Sequence, residues 1–215
     1  MPYVVETKQL TKRFGQQCAV AGLDLNIAKG EIYGFLGPNG AGKTTTIRML
    51  LGLMKPTSGT IHIFGKDLRK ERIDILRKVG SLVESPSYYP HLTAYENLEA
   101  WRKISGVAKT RIREVLDIVR LTDAAHKKVK HFSLGMKQRL GIAAALLNEP
   151  ELIILDEPTN GLDPAGIIEI RELIRRLPAE YGMTVLISSH LLSEIDQIAT
   201  TVGVLAKGRL IFQDS

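Results

Sequence analysis

Apolar and polar positions change rhythm along this chain. Tyr3–Leu10 and Leu23–Ile27 alternate, as strands with one buried face do. Glu31–Leu36 is more continuously apolar and reads as a strand covered on both faces. A helix is expected from about Lys43 to Leu51, and Thr60–Gly65 reads as a further strand. The middle keeps a helical period. Thr93–Gly106 opens with Thr93 and Glu96 at the spacing of a capping box. Thr110–Arg120 sets Ile112, Val115, Leu116 and Val119 on one stripe, and Ser133–Asn148 forms another helix. From Leu152 strands and helices alternate again: strand Leu152–Asp156, helix Pro164–Leu177, strand Thr184–Ser188, helix Leu191–Ile198, then strands Thr201–Ala206 and Arg209–Gln213.

That order describes an α/β fold with a mainly parallel sheet and helices on both faces. Residues 85–148 read as a helical insertion, with 1–84 and 149–215 forming the α/β core of a single domain. Ligands of such sheets sit beyond the carboxyl ends of the strands. With 215 residues, 44% of them hydrophobic and 24% charged, the chain can bury a core without covalent staples. A single cysteine, Cys18, excludes an internal disulfide framework and a four-cysteine metal site, and reads as a small, partly buried residue. Met1–Leu10 lacks a basic start and a long apolar run, so no secretory leader is expected. No stretch approaches the roughly 18 apolar residues of a membrane span, so any channel this chain serves belongs to another chain. The net charge of +6 favours anionic partners without distinguishing nucleotide, nucleic acid and acidic membrane.

The chemistry concentrates at three strand ends. Gly37-Pro38-Asn39-Gly40-Ala41-Gly42-Lys43-Thr44 fits the phosphate-binding pattern G-x-x-x-x-G-K-[ST], behind an apolar strand and ahead of a helix. The glycines let the backbone curl so that several N–H groups face one oxyanion, and the following helix adds its positive end. Lys43 reaches the β- and γ-phosphates, and the Thr44 hydroxyl suits a Mg²⁺ ligand, with Thr45 beside it. The run Leu152–Leu155 ends in Asp156 and Glu157. Asp156 is expected to hold the metal through water and Glu157 to act as general base on the attacking water. His190 follows a further parallel strand, where an imidazole can reach the γ-phosphate or that water.

His131–Leu140 then completes a family pattern. The chain resembles the nucleotide-binding subunit of ATP-binding-cassette transporters over nearly its whole length. The resemblance implies a P-loop NTPase fold with an N-terminal antiparallel β part and an inserted α-helical subdomain. It implies ATP and Mg²⁺ as cofactors, and adenine stacking on Phe14. It makes Ser133, Leu134, Gly135, Met136, Lys137 and Gln138 the signature that grips ATP held by a second ATPase subunit. It makes Asn160, Gly161, Leu162 and Asp163 the D-loop, and His190 the switch histidine. It also implies multi-span permease partners at the cytoplasmic face of the membrane.

Two positions depart from the family pattern. Met136 stands where a second glycine is usual; its backbone N–H remains for phosphate, and its side chain is expected at the partner surface. Glu84, ahead of Pro86, stands where glutamine is usual; a carboxylate can bind Mg²⁺ directly but cannot donate to water when ionised. Glu84 with Ser133–Ala143 resembles the narrower branch that exports lantibiotics and bacitracin-like peptides. Tyr88, Tyr89, His91 and Trp101 stand where the family meets its membrane partner, with a helical-core role as the alternative for Trp101 and the two tyrosines. The rival classes are a nucleic-acid repair or translation ATPase and a regulatory module without turnover. The long coiled-coil insertion or second cassette of the first is missing, so no nucleic-acid partner is expected, and Glu157 argues against the second.

Overall fold

The computed structural model describes residues 3–84 and 87–214. Strands β1 (Val5–Phe14), β2 (Gln17–Leu23) and β3 (Asn26–Ile27) lead into β4 (Ile32–Leu36) and helix α1 (Lys43–Leu50). Next come β5 (Ser58–Ile63), β6 (Lys66–Asp67), α2 (Arg72–Leu76) and β7 (Val79–Leu82). Helices α3 (Ala94–Ser105), α4 (Thr110–Ile118) and α5 (Leu134–Leu146) follow as a helical block. The chain then runs through β8 (Leu152–Asp156), α6 (Pro164–Tyr181), β9 (Thr184–Ser189), α7 (Leu192–Ile195), β10 (Thr201–Ala206) and β11 (Arg209–Asp214).

Two sheets form. The larger has the order β11-β10-β4-β9-β8-β7, parallel throughout except for β11, which pairs antiparallel with β10. The smaller is antiparallel, β2-β1-β5-β6, with β3 also on β1. Side chains of the central strands point alternately into two cores, which is why their sequences are continuously apolar. Leu152, Ile154, Leu186, Tyr33 and Phe35 pack with Ile47, Met49 and Leu50 of α1 and with Val5, Leu10 and Ile27 of the smaller sheet. Ile153, Leu155, Val185 and Ile187 pack instead with Ile170, Ile174 and Leu177 of α6 and with the helical block through Leu140, Ala143 and Leu146 of α5.

Several expectations shift. The first strand continues to Phe14 because it pairs with β2 through a tight turn, Phe14 opposite Gln17. The expected strand Leu23–Ile27 divides between the end of β2 and the two-residue β3. Helix α6 runs past Leu177 through Pro178 to Tyr181. Gly182, at φ 66°, then ends it, its N–H donating to the Pro178 carbonyl at 3.0 Å. A proline so near the last turn removes one ladder bond without breaking the helix. The helical block opens after β7, and residues 85–86, where the insertion was expected to begin, lie outside the described residues.

Register fixes the site. Leu36 stands opposite Ser189, and Asp156 opposite Ser188. Three adjacent parallel strands therefore deliver Gly37, Glu157 and His190 to one carboxyl edge.

Candidate nucleotide-binding site

The loop after β4 is closed by backbone contacts. Gly37 N–H donates to the Ser189 carbonyl at 3.2 Å, and Ala41 N–H to the Pro38 carbonyl at 3.0 Å. Gly42, at φ 109°, is the N-cap of α1, and a Cβ there would lie 2.6 Å from the Ala19 carbonyl oxygen. Glycine is required at this point both for the backbone angle and for the close approach of β2. Lys43 is 5% exposed. Its ammonium donates to the Gly37 carbonyl at 2.5 Å and lies 3.2 Å from Glu157 Oε1.

The acidic pair is held from below by β9. Ser188 Oγ donates to Asp156 Oδ1 at 2.5 Å and accepts from Glu157 N–H at 2.9 Å. Thr44 Oγ1 donates to the other oxygen, Asp156 Oδ2, at 2.8 Å. Glu157 turns out of the strand at φ 50°, a conformation that costs a non-glycine residue about 1–2 kcal/mol. That turn sends its carboxylate to His190 Nδ1, 2.6 Å from Oε2. An ionised Glu157 can only accept in this bond, which takes a form of the imidazole that carries a proton on Nδ1.

Of these groups Lys43, Thr44, Glu157 and His190 border a cleft of about 830 Å³, while Gly37, Pro38, Ala41 and Asp156 are not among the residues lining it. Phe14, Asn39, Gly40, Gly42, Lys43, Thr44, Thr45, Glu157, Asn160 and His190 all line it, so the structure brings most of the sequence-read residues together. Phe14 is half exposed, with Lys12 Nζ 5.1 Å from its ring centroid. The sequence reading missed Gln17, Cys18 and Ala19 of β2, and Lys207 and Gly208 of the β10–β11 turn, which also line the cleft. The G-x-x-x-x-G-K-[ST] pattern gives no signal for them. Gly208 N–H donates to the Ala41 carbonyl at 2.9 Å and so braces the loop from outside.

The signature lies away from this cleft. Ser133 caps α5, its Oγ accepting from Met136 N–H at 3.2 Å, and Leu134 is half exposed. None of Ser133–Gln138 is among the residues lining the cleft. Met136 is part-buried and packs against the helical core, and Gln138 is buried. Lys137 Nζ stands 5.8 Å from the Tyr88 ring centroid. The D-loop lies between cleft and signature: Asn160 lines the cleft, and a Cβ on Gly161 would be 3.4 Å from Leu134. Leu162 packs on the helical core, and Asp163 caps α6 by accepting from Gly166 N–H at 3.1 Å.

Glu84 was expected at the metal, but the structure pairs it with Arg48 at the surface and not with Thr44 or Asp156. It is absent from the cleft lining. Its backbone is left-handed, at φ 64°. Of the three residues read as metal ligands, the structure sets Thr44 and Asp156 side by side. Among the described residues no cluster of three or more His, Cys, Asp or Glu is suited to a metal ion. Mg²⁺ fits this sparse set, because it is held by one or two carboxylates together with substrate phosphates and water.

Farther out, Trp101 and the exposed Ile104 border a groove of about 430 Å³ with Leu53, Leu82 and Ala145. Tyr88 packs on the helical core. Tyr89 is exposed, its ring edge-on to His91, while its backbone N–H donates to Asn97 Oδ1 at 2.7 Å.

A curled glycine loop, a lysine at a helix start and a neighbouring Asp-Glu strand end define a P-loop nucleotide-binding cassette. Residues 20–160 match the ABC transporter family model, and the chain belongs to that family. It is 57% identical, over 98% of its length, to the bacitracin transport ATP-binding protein BcrA of Bacillus licheniformis, covering 69% of that protein. It is 44% identical, again over 98% of its length, to the lantibiotic transport ATP-binding protein SrtF of Streptococcus pyogenes, covering 90% of it. The structure of cbiO1 from Clostridium perfringens, part of the ABC transporter complex cbiONQ, matches with a TM-score of 0.91 at 29% identity, covering 99% of this chain and 88% of that one. A dimeric ATP-binding cassette in a post-hydrolysis state, bound to ADP and Pi, matches with a TM-score of 0.85 at 28% identity, covering 98% of each chain. The branch read from Glu84 and the signature is the one these relatives' names carry. No described helix is long and apolar enough to cross a membrane.

Proposed function

We propose that this chain binds and hydrolyses ATP with Mg²⁺, as one of two paired ATPase subunits. The pair drives export of a bacitracin- or lantibiotic-like peptide through separate multi-span permease subunits at the cytoplasmic face of the membrane. The observation that carries this reading is the setting of Glu157, whose carboxylate stands between Lys43 at 3.2 Å and His190 at 2.6 Å on the cleft wall. A purely nucleotide-holding module has no use for a strained, doubly held carboxylate there. The names of the bacitracin and lantibiotic relatives support the class of cargo.

In this reading the loop amides and Lys43 hold the triphosphate, and Phe14 stacks on adenine. Thr44 and Asp156 would hold Mg²⁺, which supplies charge neutralisation at the β- and γ-phosphates. Glu157 takes the proton of the attacking water. His190 orients Glu157 through Nδ1 and turns Nε2 toward the γ-phosphate. Ser133 and Gly135, at the start of α5, meet the γ-phosphate held by the second subunit. The groove beside Trp101 and Ile104 receives the permease. Phosphate release by the purified chain tests the reading: turnover with ATP and Mg²⁺, and its loss on chelation with recovery on adding Mg²⁺ back, are expected. A chain that binds ATP but releases no phosphate under any of these conditions is a regulatory module instead.

A further inference from the structure

One buried carboxylate near the cleft has no part in that chemistry. Glu194, on the short helix α7, is 7% exposed. Its Oε2 accepts from Thr159 Oγ1 at 2.7 Å and from Ser189 Oγ at 2.8 Å. Both donors are themselves buried, at 5% and 3% exposure. The Ser189 oxygen also accepts from Leu191 N–H at 3.0 Å, so its own proton is committed to Glu194.

The two hydroxyls belong to different loops. Thr159 lies between Glu157 and Asn160, on the segment that enters the D-loop. Ser189 is the last residue of β9, directly before His190, and its carbonyl accepts from Gly37 N–H at 3.2 Å. Successive residues of β9 thus serve opposite sides. Ser188 holds Asp156 and the Glu157 backbone, whereas Ser189 reaches Glu194 and, through it, Thr159.

We propose that Glu194 is a positioning residue that locks the loop carrying Glu157 and Asn160 to the strand end carrying His190, fixing the spacing of the two groups across the γ-phosphate position. The proposal rests on the ATPase reading above. Glu194 touches neither nucleotide loop nor metal ligands, so its loss acts on turnover and not on nucleotide capture. A misplacement on the order of 1 Å costs up to about 100-fold in rate. A buried acceptor removed from two hydroxyls leaves both loops free to drift by such an amount.

The test compares Glu194→Ala, Glu194→Gln and Thr159→Val in the full chain by steady-state ATP hydrolysis, with ATP affinity measured separately by binding of a fluorescent ATP analogue. For Glu194→Ala, kcat is expected to fall about 10- to 100-fold with KM and nucleotide affinity within about twofold. Glu194→Gln keeps an oxygen that accepts from both hydroxyls and is expected to recover kcat to within about threefold of the parent. Thr159→Val, which keeps shape and loses the bond, is expected to lower kcat less, and to add nothing further in the Glu194→Ala background. An unchanged kcat in Glu194→Ala, a rise in KM alone, or equal losses in the Ala and Gln variants overturns the proposal. A merely structural role would show as a lower melting temperature with unchanged kcat per folded molecule. If the parent chain binds ATP without turnover, the ATPase reading fails first, and the comparison separates that outcome from the others.

Discussion

Glu84 and Glu157 both adopt left-handed backbone just beyond the ends of neighbouring strands, at φ 64° and 50°. Their surroundings give them different work. Glu157 is held by a buried lysine and a histidine on the cleft wall. Glu84 pairs with Arg48, with side chains 62% and 40% exposed, where an ion pair contributes under about 1 kcal/mol. Arg48 lies on α1, the helix that Lys43 begins, so the pair links the entry to the helical block with the phosphate-loop helix. Glu84→Gln is therefore expected to leave the melting temperature and ATP affinity nearly unchanged. It is expected to alter the rate at which hydrolysis responds to the permease. Equal transport and hydrolysis rates for parent and variant in cells carrying the permease would remove any special role for this carboxylate. Its place in the family pattern, where glutamine is usual, suggested Glu84 as a metal ligand; what the sequence does not carry is that Arg48, a turn and more along α1, pairs with it.

At the scale of elements, local signals proved most legible where a helix announces its own start. Thr93 and Glu96 predicted the start of α3, and the structure has the full box: Thr93 Oγ1 accepts from Glu96 N–H at 3.1 Å, and Glu96 Oε2 accepts from Thr93 N–H at 2.7 Å. Thr93→Ala is expected to cost about 1 kcal/mol, read as a lower melting temperature. The Thr93 backbone N–H, then its hydroxyl, hold the Glu96 carboxyl below the usual carboxylate range. Its folded pKa is depressed, so the bond's contribution is complete above the unfolded value and is lost as pH falls through the folded one. Melting curves of parent and Glu96→Gln are accordingly expected to differ at neutral pH and to converge once the pH has fallen through the depressed folded value. A gap that stays constant with pH would show the carboxylate to be irrelevant to the cap. Strands were less legible. β2 was missed because Gln17–Leu23 places small residues, Ala19, Ala21 and Gly22, where alternation would show, and only pairing with β1 makes them a strand. β7 has four residues and is a strand because β8 offers it an edge beside α5. Nothing in the Leu191–Ile198 pattern says that the hydroxyls of Ser189 and the distant Thr159 both end on Glu194.

For the whole molecule, the decisive feature is that the two helix starts read as phosphate sites, those of α1 and α5, do not meet. The start of α1 opens onto the cleft with Lys43, whereas the start of α5, capped by Ser133, stands outside it beside the D-loop. A nucleotide in the cleft leaves the second start unused by its own chain. Two chains arranged head to tail can each present Ser133–Gly135 to the other's γ-phosphate, and ATP then joins them. In the proposed function, hydrolysis then removes the shared phosphate and with it the bond between subunits. Glu157→Gln keeps the shape of the site and removes the base, so it is expected to hold the joined state. In size-exclusion chromatography with ATP and Mg²⁺ that variant should elute as a dimer, and the parent chain mostly as a monomer. Adding Ser133→Ala to Glu157→Gln should return the protein toward monomer while leaving each chain's own ATP affinity within about twofold, because the cap alone contributes only about 1 kcal/mol to α5. Monomers at every nucleotide concentration for Glu157→Gln would rule out the shared-phosphate arrangement. A dimer indifferent to Ser133 would place the contact on some other surface of the chain.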